Sequence, residues 1–292
     1  MTARLGRKKP GVRGVETVVE REVEKAMQAL DGPWPISDEI VHDARKRLKK
    51  ARAALRLERA ALGEEVYRRE NIALRDAARP LSEVRDAIVL IETADGLGLD
   101  GQASGLRDAL RAERQDARSR VLGERARLRP LVAALRGARG RLARVRPECH
   151  GWNVLGRGLR RTYRAARRAY LAACVHPSAD NLHEWRKRTK YLWRVLEMLH
   201  PVAPRQLARL ERRTHRLSEQ LGEDHDLVVL ERSKAARSAV PLALREVAQQ
   251  RIDRRRATLQ KRAMALGAVV YRDRPRTLER RLRRRWRAWR SA

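Results

Sequence analysis

The chain has 292 residues, with 69 Lys+Arg against 36 Asp+Glu, and so carries a formal net charge of +33. Aromatic residues make up 4% of it and Phe is absent. These numbers argue against a membrane-spanning protein, because no apolar run approaches the ~18 residues of a span, and against a disulfide scaffold, because the sequence holds two cysteines, Cys149 and Cys174.

The basic start, Met1-Thr2-Ala3-Arg4-Leu5-Gly6-Arg7-Lys8-Lys9, has no apolar core behind it, so no signal peptide is expected. A soluble, cytoplasmic chain with reduced cysteines is the simplest expectation. A compact body at this charge repels itself and gains from a polyanionic partner. Ten of the cations are Lys and 59 are Arg. A GC-rich genome would explain Arg over Lys, but not a cation total nearly twice that of the acids. Guanidinium forks also match phosphate oxygens two at a time.

Residues 1–14 form a basic, glycine-containing stretch that is expected to be a loose arm. Beyond it, Ala, Leu, Arg and Glu fill periodic stretches, and Gly and Pro fall between them. Helices are predicted at 15–30, 37–61, 64–79, 81–94 and 103–146, then at 155–175, 178–199, 204–221, 223–239, 242–271 and 275–290. The main breaks are Gly32 to Pro35, Gly96 to Gly98, Pro147 to Gly151, and Pro201 to Pro204. No convincing strand alternation is found, and the predicted class is all-α.

An internal repeat organises these helices. Val41-His42-Asp43-Ala44-Arg45-Lys46-Arg47-Leu48-Lys49 matches Leu182-His183-Glu184-Trp185-Arg186-Lys187-Arg188-Thr189-Lys190, 141 residues later. Ser37 and Ser178 fall at the same offset as candidate N-caps. A second block, Leu81-Ser82-Glu83-Val84-Arg85-Asp86, matches Leu221-Gly222-Glu223-Asp224-His225-Asp226 at an offset of 140. The chain is therefore expected to hold two homologous helical halves, 15–147 and 152–292, each large enough for a small bundle core.

On a helical wheel His42, Arg45, Lys46, Lys49 and Arg56 fall within an arc about 100° wide, opposite Val41, Ala44, Leu48, Ala51 and Leu55. His183, Arg186, Lys187, Lys190 and Arg194 repeat that arc in the second half. Stacked like charges at i, i+3, i+4 and i+7 oppose the helix by a few tenths of a kcal/mol per pair, roughly. They make sense if a string of anions lies along them, meeting a rung every ~5.4 Å. A histidine in such a row adds an N–H donor, and beside phosphate it could become cationic. A solvated face in an Arg-rich chain is the blander reading, but random surface charge has no reason to recur at matched registers.

These helices, with the Leu221-Gly222-Glu223-Asp224-His225-Asp226-Leu227 block, the Gly158-Leu159-Arg160-Arg161-Thr162-Tyr163-Arg164 stretch and the Tyr271 to Trp289 tail, resemble the CHAD domain, the conserved histidine α-helical domain. The resemblance covers nearly the whole chain after residue 14 and is looser in the first half. It implies two helical bundles related by a pseudo-twofold axis, with basic helices lining a central cavity or groove that binds inorganic polyphosphate. It implies binding rather than catalysis, and some members associate with storage granules. On that basis Arg160, Tyr163, Arg164, Arg167 and Arg168 are further candidate contacts, although arginines snorkelling over apolar surface would look the same. His225 aligns with Arg85, which suggests a shared cationic role for the pair. Some of Arg280, Arg281, Arg283, Arg284 and Arg285 are candidates for ligand contact, with a solvated tail as the alternative.

Glu223, Asp224, His225 and Asp226 could suggest a metal, but acids at the start of a predicted helix are more simply explained by its dipole. No metal or cofactor is expected. His150, His176, His200 and His215 have no matched partners and are expected at the surface or at caps, and Trp185 and Trp193 in the core. The cysteines lack neighbours for nucleophilic chemistry. Three functions remain in view. The first is a non-catalytic polyphosphate binder. The second is a basic protein binding nucleic acid non-specifically, for which no helix-turn-helix, zinc finger or aromatic platform is found. The third is a phosphate enzyme, which would need paired acids or a metal among the cations, and the repeated face shows none.

Overall fold

The computed structural model describes residues 12–98, 104–146 and 151–291, with side chains from residue 18 onward. Eleven α-helices and two short 3-10 turns account for nearly all of them, and no strand occurs among the described residues. The first half holds α1 (Val12–Leu30), α2 (Asp38–Leu62), α3 (Glu64–Asp95), α4 (Ser104–Leu122) and α5 (Arg129–Leu142). The second holds α6 (Trp152–Val175), α7 (Ala179–Leu199), α8 (Pro204–Arg232), α9 (Lys234–Ala239), α10 (Leu242–Val270) and α11 (Pro275–Ser291). No described helix is long and apolar enough to cross a membrane.

The two repeated helices start alike. The Ser37 hydroxyl accepts from the Ile40 N–H at 3.4 Å, and that of Ser178 from the Asn181 N–H at 3.2 Å, satisfying donors that a helix start leaves free. α2 ends at Gly63, whose φ of 77° lies in the left-handed region that glycine tolerates best.

Several boundaries differ from the sequence expectation. Val12 to Gly14 are helical rather than part of the loose arm expected over 1–14, and residues 1–11 lie outside the described ones. Pro80 does not divide 64–79 from 81–94: α3 runs through it, because Leu74, Ala77, Leu81 and Val84 keep one face buried on both sides. Packing there outweighs the missing N–H. The same holds at Gly222, where α8 continues between buried Leu217, Leu221 and Leu227. Residues 103–146 are instead split, α4 ending at Leu122 and α5 beginning around Pro130. A Cβ at Gly123 would lie 2.4 Å from the Ser119 carbonyl oxygen.

The halves do not keep separate cores. One apolar cluster runs from Val18 in α1 through Leu48, Leu155 and Trp185 to Trp286 in α11. A smaller one joins Leu106 and Leu110 of α4 to Leu227, Leu230 and Ile252 of α8 and α10. Each half is large enough for a small bundle core, and the packing joins the two: α2 packs against both α6 and α7, and α3 against α8. The closest approach is at Gly158 of α6, where an added Cβ would sit 2.1 Å from the Leu57 carbonyl oxygen of α2. Gly158→Ala is therefore expected to push the halves apart and cost at least about 2 kcal/mol, as overpacking against rigid backbone does. Chemical denaturation measures this, and a loss below about 0.5 kcal/mol would contradict the close packing.

Candidate polyanion site

α2 and α7 bring their cationic rows together, flanked by α3 and α8. The two halves build the same contacts. Arg45 Nη2 donates to Asp86 Oδ1 at 3.1 Å, and Arg186 Nη2 stands 3.8 Å from Asp226 Oδ1. On the outer flank Arg47 pairs with Asp43 at 2.6 Å, and Arg188 with Glu184 at 2.5 Å. Lys187 also reaches Glu184, which ties it to its own helix. His183 Nδ1 lies 3.3 Å from His225 Nδ1, while His42 feels Arg85 as its strongest charged neighbour.

The centre of the basin is Arg45, Lys49, Arg186 and Lys190. Burial, then repulsion from Arg45, Lys190 and Arg186, holds the Lys49 ammonium down at about 7. Burial and Arg186 hold Lys190 at about 8. Lys49 still reaches solvent, so this is an open recess crowded by like charge rather than a sealed core. Two donors there are unsatisfied. Arg45 Nε and Arg186 Nε, equivalent atoms of the two halves, are buried without a hydrogen-bond partner. An orphaned buried donor costs roughly 1–3 kcal/mol, and an oxyanion would relieve it.

Each row opens into a cavity. One, of about 180 Å³, is lined by Arg45, Lys49, Arg52, Arg75, Ala78, Arg79 and Ser82. The other, of about 480 Å³, is lined by Arg186, Lys190, Trp193, His215, Ser218, Glu219 and Gly222, with Glu92, Glu223, Asp226 and Arg255 among their neighbours. The first seven lining residues of each correspond one to one at offsets of 141 and 140, so the cavities are the same place in the two halves. They are not chemically equal: Trp193, His215 and Glu219 stand where Arg52, Arg75 and Arg79 stand in the first half.

Several sequence expectations need correction. Tyr163 is buried, its hydroxyl lying 2.9 Å from the Val270 carbonyl and 3.1 Å from that of Asp273, so it is a packing residue. Tyr163→Phe is expected to cost about 1 kcal/mol of stability and leave anion binding unchanged; thermal unfolding and a binding titration on one sample check both. Arg167 donates to the Tyr271 carbonyl at 3.2 Å. Arg164 and Arg168 are exposed on the outer side of α6, and neither they nor Arg160 line the two cavities. Arg56 lies 3.7 Å over the Tyr191 ring, and Arg194 lies 3.9 Å over Trp193 while pairing with Glu197 at 2.8 Å, so both ends of the rows are engaged locally. Arg85 pairs with Glu92.

Burial, Arg186 and His183 hold His225 at about 4, so at neutral pH it is uncharged and does not share a cationic role with Arg85. Glu223 to Asp226 sit inside α8 rather than at a helix start, so the dipole does not explain them. The basin also contains paired acids, Asp86 and Asp226, contrary to expectation; each is the counter-ion of one arginine. Trp193 is a cavity wall, its ring centroid 4.0 Å from that of His215 and tilted 41° to it. His200 pairs with Glu211 at 2.6 Å. His150 and Cys149 lie outside the described residues. Among the described residues no group of three or more His, Cys, Asp or Glu is placed to hold a metal.

The CHAD domain family model matches residues 21–235, about three quarters of the chain. The chain belongs to the CHAD family. Among solved structures, this CHAD protein aligns with PptA from Streptomyces chartreusis at a TM-score of 0.62 and 14% identity, over 90% of this chain and 100% of that one. It also aligns with the CHAD domain from the plant Ricinus communis at a TM-score of 0.47 and 19% identity, over 95% and 89%. The first of these likenesses bears on the fold. Among curated proteins no sequence matches.

Proposed function

We propose that this CHAD domain binds inorganic polyphosphate along the basin between α2 and α7, without cleaving it. The observation that carries the reading is the pair of equivalent orphan donors, Arg45 Nε and Arg186 Nε, beside two lysines whose charge is opposed by burial and by the neighbouring arginines. A thread of phosphates supplies oxyanions at a short repeat, satisfies both donors and favours the charged form of both lysines. Asp86 and Asp226 are the counter-ions of the arginines, and phosphate takes over that role. The reading is non-catalytic because both carboxylates are counter-ions of guanidinium groups. Such binding would bring the protein to wherever polyphosphate accumulates in the cytoplasm, storage granules included.

A competition titration tests it. Protein loaded with labelled long-chain polyphosphate is challenged with unlabelled polyphosphate, short phosphate oligomers, heparin and duplex DNA across a salt series. Long polyphosphate is expected to displace the label best at matched charge, and affinity to fall with salt. Equal displacement from the basin by DNA, or release of free phosphate by purified protein, would overturn the reading.

A further inference from the structure

Outside the basin, α6 and α11 lie side by side, with Trp152 and Trp286 in contact at 5.8 Å between ring centroids. Together these two helices carry 14 Arg and a single carboxylate, Glu279. Glu279 is already engaged, accepting from Trp152 Nε1 at 2.6 Å. On α6, Arg157, Arg161, Arg164 and Arg168 recur at i, i+4, i+7 and i+11 and line one solvent-facing or half-exposed strip. On α11, Arg276, Arg280, Arg283, Arg287 and Arg290 repeat that spacing, all exposed.

Exposed arginines elsewhere are of both kinds: Arg111, Arg114 and Arg118 of α4 each have an aspartate partner, whereas Arg205, Arg209, Arg212, Arg213 and Arg216 of α8 are exposed. The five of the α11 row, and Arg157, Arg164 and Arg168 of α6, have no ion pair among the described residues. α11 also lies beyond the stretch matched to the family.

We propose that the α6–α11 face is a second site, independent of the basin, that binds the phosphate backbone of duplex nucleic acid. Neighbouring helices stand roughly 8–10 Å apart. Arginine rows on two adjacent helices can run alongside the two phosphate strands that border a groove about 6–12 Å wide, whereas a single thread would use one row. A membrane-surface helix must offer its apolar side to lipid, but Leu278, Leu282 and Trp286 of α11 are buried inside the protein. Single strands are held by exposed aromatic platforms, and neither row contains one. Arginines facing phosphate position the duplex without reading its sequence.

The full chain is titrated with a 20-base-pair duplex of mixed sequence and, separately, with long-chain polyphosphate, each over a salt series. The R280Q/R283Q/R287Q/R290Q variant is expected to lose at least about tenfold in duplex affinity, with a salt slope shallower by about 3–4, while its polyphosphate affinity stays within twofold. R157Q/R164Q/R168Q, on the other helix, is expected to act the same way on the duplex. Lys49→Gln with Lys190→Gln is expected to do the reverse, weakening polyphosphate and sparing the duplex. An unchanged duplex slope in both row variants overturns the proposal. So does loss of polyphosphate and duplex together in the α11 variant, which would make the face a general polyanion surface. Failure of the basin variant to lower polyphosphate affinity would count against the basin alone.

Discussion

Replacing Arg45 and Arg186 together by Gln is expected to weaken polyphosphate binding by about 10²- to 10⁴-fold while leaving thermal stability unchanged or higher. Each guanidinium offers charge-assisted hydrogen bonds to phosphate, with contributions of roughly 1.5–3 kcal/mol, and ~1.4 kcal/mol corresponds to a factor of ten. To the fold itself the same two groups are a burden. Burial disfavours their charge, and each carries an unsatisfied Nε. Their counter-ions tolerate the change. The Asp86 side chain is 65% exposed, and Asp226 retains Lys190 nearby. Removing the arginines therefore deletes buried repulsion without stranding a deeply buried carboxylate. Calorimetric titration and thermal unfolding of one preparation report both quantities. Intact binding together with a large fall in Tm would mean that the arginines are structural.

Binding is also expected to take up protons, so that affinity falls as pH rises. Burial, and then the facing Arg45 and Arg186, hold Lys49 at about 7 and Lys190 at about 8, with Asp86 and Asp226 opposing that repulsion. Polyphosphate favours both charged forms and returns them toward the ordinary lysine value. Between pH 7 and 9 the affinity should then drop by at most roughly 500-fold, more steeply above 8 than below 7. Phosphate groups have completed their own titration near 6 and add little there. Stability of the ligand-free protein runs the opposite way. The unfolded lysines keep their protons to about 10.4, so above 7 the unfolded chain binds more protons than the folded one. Stability contributed by these groups therefore rises as pH climbs from about 7 toward 10. Titrations in buffers of different ionisation enthalpy count the protons taken up. A flat affinity between pH 7 and 9 would contradict the crowding of the basin.

The parts of the site legible in the sequence are those fixed by helical periodicity. The spacing of His42, Arg45 and Lys49 and its recurrence at His183, Arg186 and Lys190 located both rows and their N-caps. The 141-residue offset matched α2 to α7 and α3 to α8 before any contact was known. What periodicity cannot carry is which face meets which partner. Tyr163 and Arg164 are neighbours in sequence, yet one is core and the other solvent, because α6 buries itself against α2, α7 and α11 at once. Asp86 carries no signal of its own in the sequence, and Asp226 reads as one of several acids at a helix start, until α3 and α8 fold over the rows. Arg75 and His215 were within reach, since carrying the 140-residue offset a few positions further back pairs them. Pro80 and Gly222 misled because burial on both sides of each outweighs a local breaker.

The most direct test is a crystal structure of the protein with a polyphosphate of several tens of phosphates. A single chain should cross between α2 and α7, with phosphate oxygens at hydrogen-bond distance from both Arg45 Nε and Arg186 Nε and beside Lys49 and Lys190. Polyphosphate confined to the outer face of α6 and α11, with Arg45 and Arg186 still held only by Asp86 and Asp226, would contradict the account.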